Sequence, residues 1–265
     1  MAPHNDKPLH GVVFDMDGTL LDTEALATES MQVTVDAFEK TMTWDIKKNF
    51  LGLRPSEWAP MLIEIFELEG KITSEEMTDQ WEKAMHEKIT EIQKCHGAEK
   101  TTTLLKEMGV PQSIATSSTR AGMTAKRTNH EEMFSRMEYV VTGDDPEVKD
   151  GKPAPDIYLA AAKRMGLDPS HCLAFEDALS GVKAAKGAGM YVIAIPDSRL
   201  DPKPFEEAGA SLILKSMDDW DASAWHFEPH PKEEAPEAPE TTVPSAEDAS
   251  ATSESTAPEV ARPVE

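Results

Sequence analysis

Two aspartates separated by a single residue stand at the end of an apolar run near the N-terminus. Asp15 and Asp17 follow the run 11–14, and Gly18 comes directly after the second aspartate. Uncharged β-branched and aromatic residues are typical of a strand covered on both faces, and glycine allows the sharp turn that ends it. The plainest alternative is a strand that ends in a polar turn. Two carboxylates at the end of a buried strand can also bind a cation and do chemistry, and we take the pair as a candidate site.

Hydroxyl, ammonium and carboxylate side chains follow three further predicted strands. Ligands of an open parallel sheet bind beyond the carboxyl ends of its strands, so these side chains are expected to meet the two aspartates there. Hard oxygen ligands suit Mg²⁺, and the whole set fits a magnesium-dependent phosphoryl-transfer site. The side chains are Thr116, Ser117 and Ser118 after one strand, Lys152 after the next, and Glu176 with Asp177 after the third.

Short apolar runs alternate with helical patterns in the second half of the chain. This alternation predicts an α/β fold, a doubly wound parallel Rossmann-like sheet with helices on both faces. The predicted strands cover 112–116, 138–142, 171–175, 190–195 and 211–214, and the predicted helices cover 98–108, 119–130, 155–166, 178–188 and 202–208.

A helical block separates the first predicted strand from the others. Residues 22–94 contain three helical patterns and no convincing strand: one helix from Asp22 or Thr23 to about Lys40, one over 56–68 and one from Ser74. Because the block begins directly behind the two aspartates, it is placed to close over them. We therefore predict an inserted α-helical cap, residues 22–94, on an α/β core formed by 9–21 and 95–227.

Composition narrows the classes of partner. The 265 residues include 49 acidic and 26 basic ones, for a net charge of −23, which disfavours nucleic acid and anionic membranes. An anionic substrate then needs local positive charge, most simply a metal and a lysine. Only two cysteines occur, so a disulfide framework is not expected. A first strand near residue 10 and the lack of a long apolar run favour a cytoplasmic protein.

The last segment has a different composition from the rest of the chain. Residues 228–265 hold ten acidic residues, two basic residues and seven prolines, with no leucine, isoleucine, methionine or aromatic residue. Such a segment cannot bury a core, so we predict a disordered, acidic, proline-rich tail. A protein that binds this tail is a possible partner, although a purely solubilising tail is the simpler interpretation.

Four motifs in this order resemble the haloacid-dehalogenase-like hydrolases. They are DxDGT, a Thr or Ser that closes the second core strand, a lysine before a proline, and a terminal acidic pair. The resemblance extends over residues 9–227, and the helical insert is similar to the family's α-helical cap. The segments GDDPEVKDGKPAPD, FEDALSGVKAAKGAGM and IPDSRLD resemble the eukaryotic branch that contains pseudouridine-5′-phosphatase and the glycerol-phosphate phosphatases.

The resemblance implies a role for each motif residue. Asp15 would be the nucleophile that forms an aspartyl-phosphate, and Asp17 the general acid and base, whose main-chain carbonyl would also bind Mg²⁺. Asp177 would ligate the metal, and Glu176 would be a ligand or a partner of one. The phosphoryl group would be bound by Lys152 and by Thr116, with Ser117 and Ser118 chemically equivalent to Thr116.

The resemblance also implies the reaction class and leaves the substrate open. The expected activity is Mg²⁺-dependent hydrolysis of a small phosphorylated metabolite, either a nucleoside or pentose 5′-phosphate such as pseudouridine 5′-phosphate or a glycerol phosphate. A sugar phosphomutase is the alternative enzyme, and a catalytically silent binding scaffold is the remote one. Specificity would lie in the cap, where Arg54 is a candidate residue, and the segment FLGLRPSEWA departs there from the branch.

Overall fold

A six-stranded parallel sheet forms the centre of the protein. The computed structural model describes residues 5–51, 53 and 55–229. The strands in this part of the chain are β1 (Gly11–Phe14), β2 (Leu21–Asp22), β3 (Gln93–Lys94), β4 (Gln112–Thr116), β5 (Tyr139–Thr142), β6 (Cys172–Glu176), β7 (Tyr191–Ala194) and β8 (Leu212–Ile213). Their order in the sheet is β5-β4-β1-β6-β7-β8, and β2 pairs with β3 separately. The predicted α/β fold is confirmed.

Helices cover the sheet and form the block between β2 and β3. They are α1 (Glu24–Asp36), α2 (Trp44–Lys47), α3 (Pro55–Phe66), α4 (Ser74–Glu87), α5 (Ala98–Glu107), α6 (Arg120–Lys126), α7 (Glu131–Phe134), α8 (Asp156–Arg164), α9 (Leu179–Gly187) and α10 (Lys203–Glu207). Each strand predicted after Gly97 is confirmed to within one residue at either end. The helix predicted over 119–130 instead ends at Lys126, and the short helix α7 follows it.

The sheet is buried on both faces, as the composition of β1 predicts. Val12 and Phe14 belong to one core cluster, where Phe14 stacks on Phe175 with ring centroids 5.0 Å apart. Val13 points to the opposite face and joins a second cluster with Tyr158. All five side chains are fully buried. Burial of a large apolar side chain stabilises a fold by about 1.5–3 kcal/mol, so both layers hold the strand ends in place.

The helices between β2 and β3 have a core of their own. Trp58, Leu62 and Met77 are among its most buried residues. The start of α4 is fixed by a capping box, in which Thr73 and Glu76 exchange hydrogen bonds between side chain and backbone. The sequence predicts a first helix from Asp22 or Thr23 to about Lys40, and α1 instead ends at Asp36. Thr23 is the N-cap residue of α1, but its side chain makes no capping hydrogen bond.

A short pair of strands joins the two ends of the helical block, contrary to the prediction of no strand within 22–94. In this pair Leu21 lies opposite Lys94, and Asp22 lies opposite Gln93, in antiparallel register. Two-residue strands are too short to produce a readable alternation of polar and apolar residues, which is why the sequence did not indicate them. The pair brings the start and the end of the block together beside the core sheet.

Two predictions fall outside the described residues. Arg54, the candidate specificity residue, is one of them. The tail predicted over 228–265 is the other, because the description of the chain ends at residue 229.

Candidate active site

A buried ion-paired cluster forms at the carboxyl ends of β1 and β6. Asp15 directly follows β1, is 6 % exposed, and its backbone N–H donates to the Phe175 carbonyl at 2.9 Å. The Lys152 ammonium donates to the Asp15 carboxylate and, at 2.6 Å, to Oε1 of Glu176. Charge-assisted hydrogen bonds of this kind are strong inside a protein. Lys152 therefore fixes the position of Asp15 from a loop more than a hundred residues away in the sequence.

Glu176 is occupied by protein donors on both oxygens. Its Oε1 accepts from Lys152 and from the Tyr158 hydroxyl at 2.7 Å. Its Oε2 accepts from the backbone N–H groups of Asp177 and Ala178, both at 3.1 Å. These four contacts fill the acceptor capacity of a carboxylate. The geometry makes Glu176 the residue that holds Lys152 and the start of α9 in place.

Asp17 faces a different set of partners, most of them at the end of β4 and in the segment after it. Its Oδ2 accepts from the Ser118 hydroxyl at 2.8 Å and from Thr116 at 3.4 Å. Its Oδ1 accepts from the Lys126 ammonium at 2.6 Å, and Lys126 also donates to Ser118 at 2.9 Å. Because α6 ends at Lys126, the ammonium at the helix terminus can reach back to the strand ends. Asp15 and Asp17 thus have separate cations.

The pKa values of the two aspartates are shifted in opposite directions. Burial raises the pKa of the Asp15 carboxyl, Lys152 offsets part of this rise, and Glu176 and Asp17 add to it, with a net value of about 8. Burial also acts to raise the pKa of Asp17, but Lys126, Ser118 and Thr23 outweigh it and lower the pKa. A buried carboxyl beside like charges and a hydrogen-bonded carboxylate beside a cation are expected to diverge in this way.

Three acidic side chains crowd together next to Asp15. Ligand atoms of Asp15, Glu176 and Asp177 lie within 4.8 Å of one another. Burial, followed by the charges of Glu176, Asp15 and Glu24, raises the pKa of Asp177 well above its usual value. A divalent cation would relieve this repulsion, and carboxylate oxygens are the ligands that hard cations prefer. The cluster therefore fits a divalent metal ion.

The turn after Asp17 brings the backbone very close to Asp177. Gly18 has a φ of +89°, and a Cβ at this position would lie 2.2 Å from Oδ2 of Asp177. Glycine is therefore required both by the backbone angle and by the space available. The Thr19 hydroxyl donates to Oδ1 of Asp177 at 3.2 Å, which orients this carboxylate toward the cluster.

A large cavity opens from these strand ends into the helical block. Its volume is about 920 Å³. Asp15, Asp17 and Lys152 line one end, and Ser117 and Ser118 line the adjoining side. The opposite side is formed by residues of α1 to α4. Small-molecule sites are typically concave and of about 300–1,000 Å³, so the cavity has the size of a binding site for a small molecule.

The structure brings the predicted strand-end residues to one edge of the sheet. Thr116 is fully buried and reaches Asp17 and the backbone N–H of Ser118, whereas Ser117 lies on the cavity surface. Two residues of the cluster were missed. Lys126 lies two helical turns beyond the strand end, and Tyr158 belongs to an apolar helical pattern, so neither stands in a local motif.

Comparison with known proteins identifies the family of the chain. The family model described as haloacid dehalogenase-like hydrolase matches residues 12–195. The chain is 39% identical over 217 residues to (DL)-glycerol-3-phosphatase 1, mitochondrial, of Arabidopsis thaliana, with coverage of 81% of this chain and 72% of the relative. It is also 39% identical over 211 residues to a protein of Drosophila melanogaster named a probable pseudouridine-5′-phosphatase, with coverage of 78% and 90%.

A solved structure is similar over the same part of the chain. It belongs to a Thermotoga maritima protein provisionally named a β-phosphoglucomutase, with a TM-score of 0.64 and 29% identity, covering 78% of this chain and 94% of that one. The chain belongs to the haloacid dehalogenase-like hydrolase family. It is an enzyme, a phosphatase of that family, and the resemblance carried by its four motifs is confirmed.

Among the described residues, no helix is both long enough and apolar enough to span a membrane.

Proposed function

We propose that the protein is a Mg²⁺-dependent phosphatase of a small phosphorylated metabolite and that it works through an aspartyl-phosphate on Asp15. The observation that carries the proposal is the separation of the two aspartates at one cavity end. Asp15 is held by Lys152 beside Asp177, and Asp17 is held by Lys126 and Ser118. One carboxylate is thereby placed for attack and the other for proton transfer.

In the first step, a carboxylate oxygen of Asp15 attacks the phosphorus atom of the ester. The bond between phosphorus and the leaving oxygen breaks, and Asp17 gives a proton to that oxygen from its protonated form, which Lys126 and Ser118 make the minor form in the free protein. Lys152 contacts Asp15 and lines the cavity, so its charge is available to the phosphoryl oxygens. Fixed cations stabilise the charge that spreads over these oxygens in the transition state.

In the second step, Asp17 accepts a proton from a water molecule as the water oxygen attacks the phosphorus atom. The bond between phosphorus and Asp15 breaks, which releases inorganic phosphate and restores both carboxyl groups. Lys126 and Ser118 keep Asp17 in one orientation for both proton transfers. Ser117 lines the cavity and is proposed to bind the phosphoryl group. Thr116, which the sequence predicts for the same role, is not among the residues that line the cavity.

The metal would be held by the carboxylates of Asp15 and Asp177 and by the main-chain carbonyl of Asp17. Glu176 would support the site through Lys152, because its own oxygens are occupied. When bound, Mg²⁺ would supply positive charge that favours ionised Asp15 and neutralises the phosphoryl oxygens.

The names of the relatives support two substrate classes for this chain. A glycerol phosphate corresponds to the Arabidopsis relative, and a nucleoside or pentose 5′-phosphate such as pseudouridine 5′-phosphate corresponds to the Drosophila one. We keep the cytoplasm as the predicted location, although one of these relatives is named as mitochondrial. The net charge of −23 supports a small metabolite as the partner, and not nucleic acid or a membrane surface.

A sugar phosphomutase of the same family is the second candidate. The similarity to the structure provisionally named a β-phosphoglucomutase favours it. Such an enzyme transfers the phosphoryl group to a sugar instead of to water. Asp15 and Asp17 would have the same roles in both reactions. The two activities are separated by the product: inorganic phosphate for a phosphatase, and an isomeric sugar phosphate for a mutase.

Release of inorganic phosphate from a panel of polyol, sugar and nucleoside monophosphates tests the proposal. We expect turnover of one or two esters with Mg²⁺, loss of turnover with EDTA, and a decrease of at least about 10³-fold in Asp15→Asn. Asp150→Asn, an exposed loop aspartate, is the matched control and should retain activity. Absence of release from every ester, with isomerisation of a sugar phosphate, would favour the mutase.

A further inference from the structure

The side of the cavity that faces the catalytic cluster is largely apolar. We call it the cap wall. An apolar and aromatic surface of this kind packs against the carbon framework of a ligand and gives it little hydrogen bonding. With a volume of about 920 Å³, the cavity exceeds what a three-carbon ester needs. The residues of the cap wall are Met31, Phe50, Trp58, Trp81 and Met85.

The charged residues of α4 that line the cavity are exposed, whereas one ion pair on the same side has a buried lysine. Lys47, at the end of α2, lies 3.0 Å from Oε2 of Glu24, at the start of α1. The Lys47 side chain is 6 % exposed and the Glu24 side chain is 33 % exposed, and both residues line the cavity. Glu24 also lies close enough to Asp177 for its charge to act on that carboxyl. The pair therefore stands between the cap wall and the catalytic cluster, where the leaving group of an ester must lie.

The pair has hydrogen-bonding capacity that the described part of the protein does not use. Oε2 of Glu24 is buried and accepts no hydrogen bond from a described residue, so its contact with Lys47 is an ion pair without hydrogen-bond geometry. The Lys47 ammonium has three donors, and Glu24 is its ion-pair partner among the residues that the structure describes. Buried polar groups are ordinarily satisfied, so an unfilled donor and acceptor at a cavity surface indicate a ligand.

We infer that Glu24 and Lys47 bind the hydroxyl groups of the alcohol part of the substrate, and that this part is a neutral sugar ring. The inference rests on the proposed function and narrows its substrate class to phosphate esters of sugars, such as pentose 5′-phosphates. Glu24 accepts from one hydroxyl and Lys47 donates to another, while the cap wall packs against the ring. A second phosphate would lie beside Glu24 and Asp177, where negative charge already accumulates.

Two single variants with matched controls test this inference. Lys47→Met and Glu24→Gln remove one side of the pair, and Lys48→Met and Glu29→Gln change exposed residues of the same two helical regions. The quantity measured is the ratio of kcat/KM for ribose 5-phosphate to kcat/KM for p-nitrophenyl phosphate, which has no hydroxyl group. We expect both pair variants to lower this ratio about 10-fold to 100-fold, as expected for a lost hydrogen bond to a charged group, and both controls to leave it unchanged.

Binding measured without turnover separates this inference from the proposed function. In the Asp15→Asn background, calorimetry should show that ribose 5-phosphate binds and that Lys47→Met weakens its binding about 10-fold or more. This result would support the pair even if the wild-type protein hydrolysed no ester. Equal losses for both substrates, or unchanged binding of ribose 5-phosphate, would overturn the inference and assign the pair to folding alone. Failure of Asp15→Asn to bind ribose 5-phosphate would overturn the substrate class.

Discussion

The two ends of the cavity differ in polarity and in hydrogen bonding. At the sheet edge, Asp15, Asp17 and Glu176 each contact a lysine or accept several hydrogen bonds, so the polar groups are numerous and closely partnered. The cap wall is apolar, and beside it lies one ion pair with a buried lysine, Glu24 with Lys47. We call the first region the catalytic end of the cavity.

This difference separates two tasks. A densely hydrogen-bonded cluster on rigid strand ends can hold reacting groups within the small tolerances that catalysis requires. A mainly apolar surface tolerates variation in the bound group and discriminates through its few polar contacts. Changes at the catalytic end should therefore alter kcat for every substrate, and changes at the cap wall should alter the preference among substrates.

The largest expected effect among the supporting residues is that of Lys152→Met. This change leaves Asp15 and Glu176 buried without their shared cation, and breaking a buried ion pair costs about 3–5 kcal/mol. We expect activity to fall by about 10²-fold or more for all substrates, together with a lower midpoint of thermal unfolding. Lys149→Met, on the exposed loop, is the control. A wild-type midpoint and kcat would show that the catalytic end does not depend on this lysine.

Lys126→Met should have a smaller effect and a distinctive pH dependence. Without Lys126, burial would be opposed mainly by the hydrogen bonds from Ser118 and Thr23, so the pKa of Asp17 would rise. We expect kcat to fall about 10-fold to 100-fold and the limb of the pH–rate profile that reports Asp17 to move to higher pH. Lys100→Met, at an exposed position, should leave the profile in place. A lower kcat with an unmoved profile would contradict the pairing.

Addition of Mg²⁺ should stabilise the fold more at high pH than at low pH. Between the usual pKa of 3.8 and the folded value of about 8, Asp15 keeps a proton that the unfolded chain has lost. The contribution of Asp15 to the stability of the metal-free protein is therefore fully present below pH 3.8 and is lost as the pH rises toward 8.

A metal ion must displace the Asp15 proton, so its affinity should rise over the same pH range. At a hundredfold excess over Kd, binding stabilises the folded state by about 2.7 kcal/mol. Thermal unfolding with and without Mg²⁺ at pH 6 and pH 9 measures the difference. Asp15→Asn should weaken the pH dependence and leave the part that comes from Asp177, whose pKa is also raised. An equal shift at both pH values in the wild type would exclude Asp15 as a ligand.

The smallest effect is expected where α2 meets the core. The Arg199 guanidinium lies 3.6 Å from the centre of the Trp44 ring and is held by Asp197 at 2.6 Å. A cation–π contact at an exposed site is worth about 0.5–1 kcal/mol, so Arg199→Ala should change KM by about two-fold to five-fold. Arg127→Ala, away from this contact, is the control. A large fall in kcat would show that the catalytic end depends on this contact between α2 and the core.

Strand ends were predictable from the sequence because their geometry is shared by all parallel sheets. Asp15, Asp17 and Asp177 each follow an apolar run, and parallel strands bring their carboxyl ends to one edge. The same reasoning located Lys152 only to a loop. Its contact with Asp15 and Glu176 depends on where that loop folds, which local spacing does not determine.

Other contacts depend on tertiary packing and have no local pattern. Lys126 reaches Asp17 only because α6 ends where it does, and Tyr158 looks like one more apolar residue of a helix. The pairing of Glu24 with Lys47 joins the start of α1 to the end of α2. Sequence spacing therefore indicated the reacting groups, whereas the residues that hold them and the polar contacts of the cap wall required the structure.

Detection of the phosphorylated enzyme is the most direct test of the central claim. The protein would be mixed with a turned-over ester and Mg²⁺, quenched with acid within the first turnover, and digested for peptide mass analysis. We predict one phosphoryl group on the peptide that contains Asp15, absent with EDTA and absent in Asp15→Asn. Turnover without this adduct in quenched samples, or a phosphoryl group on a different residue, would contradict the assignment of Asp15 as the nucleophile.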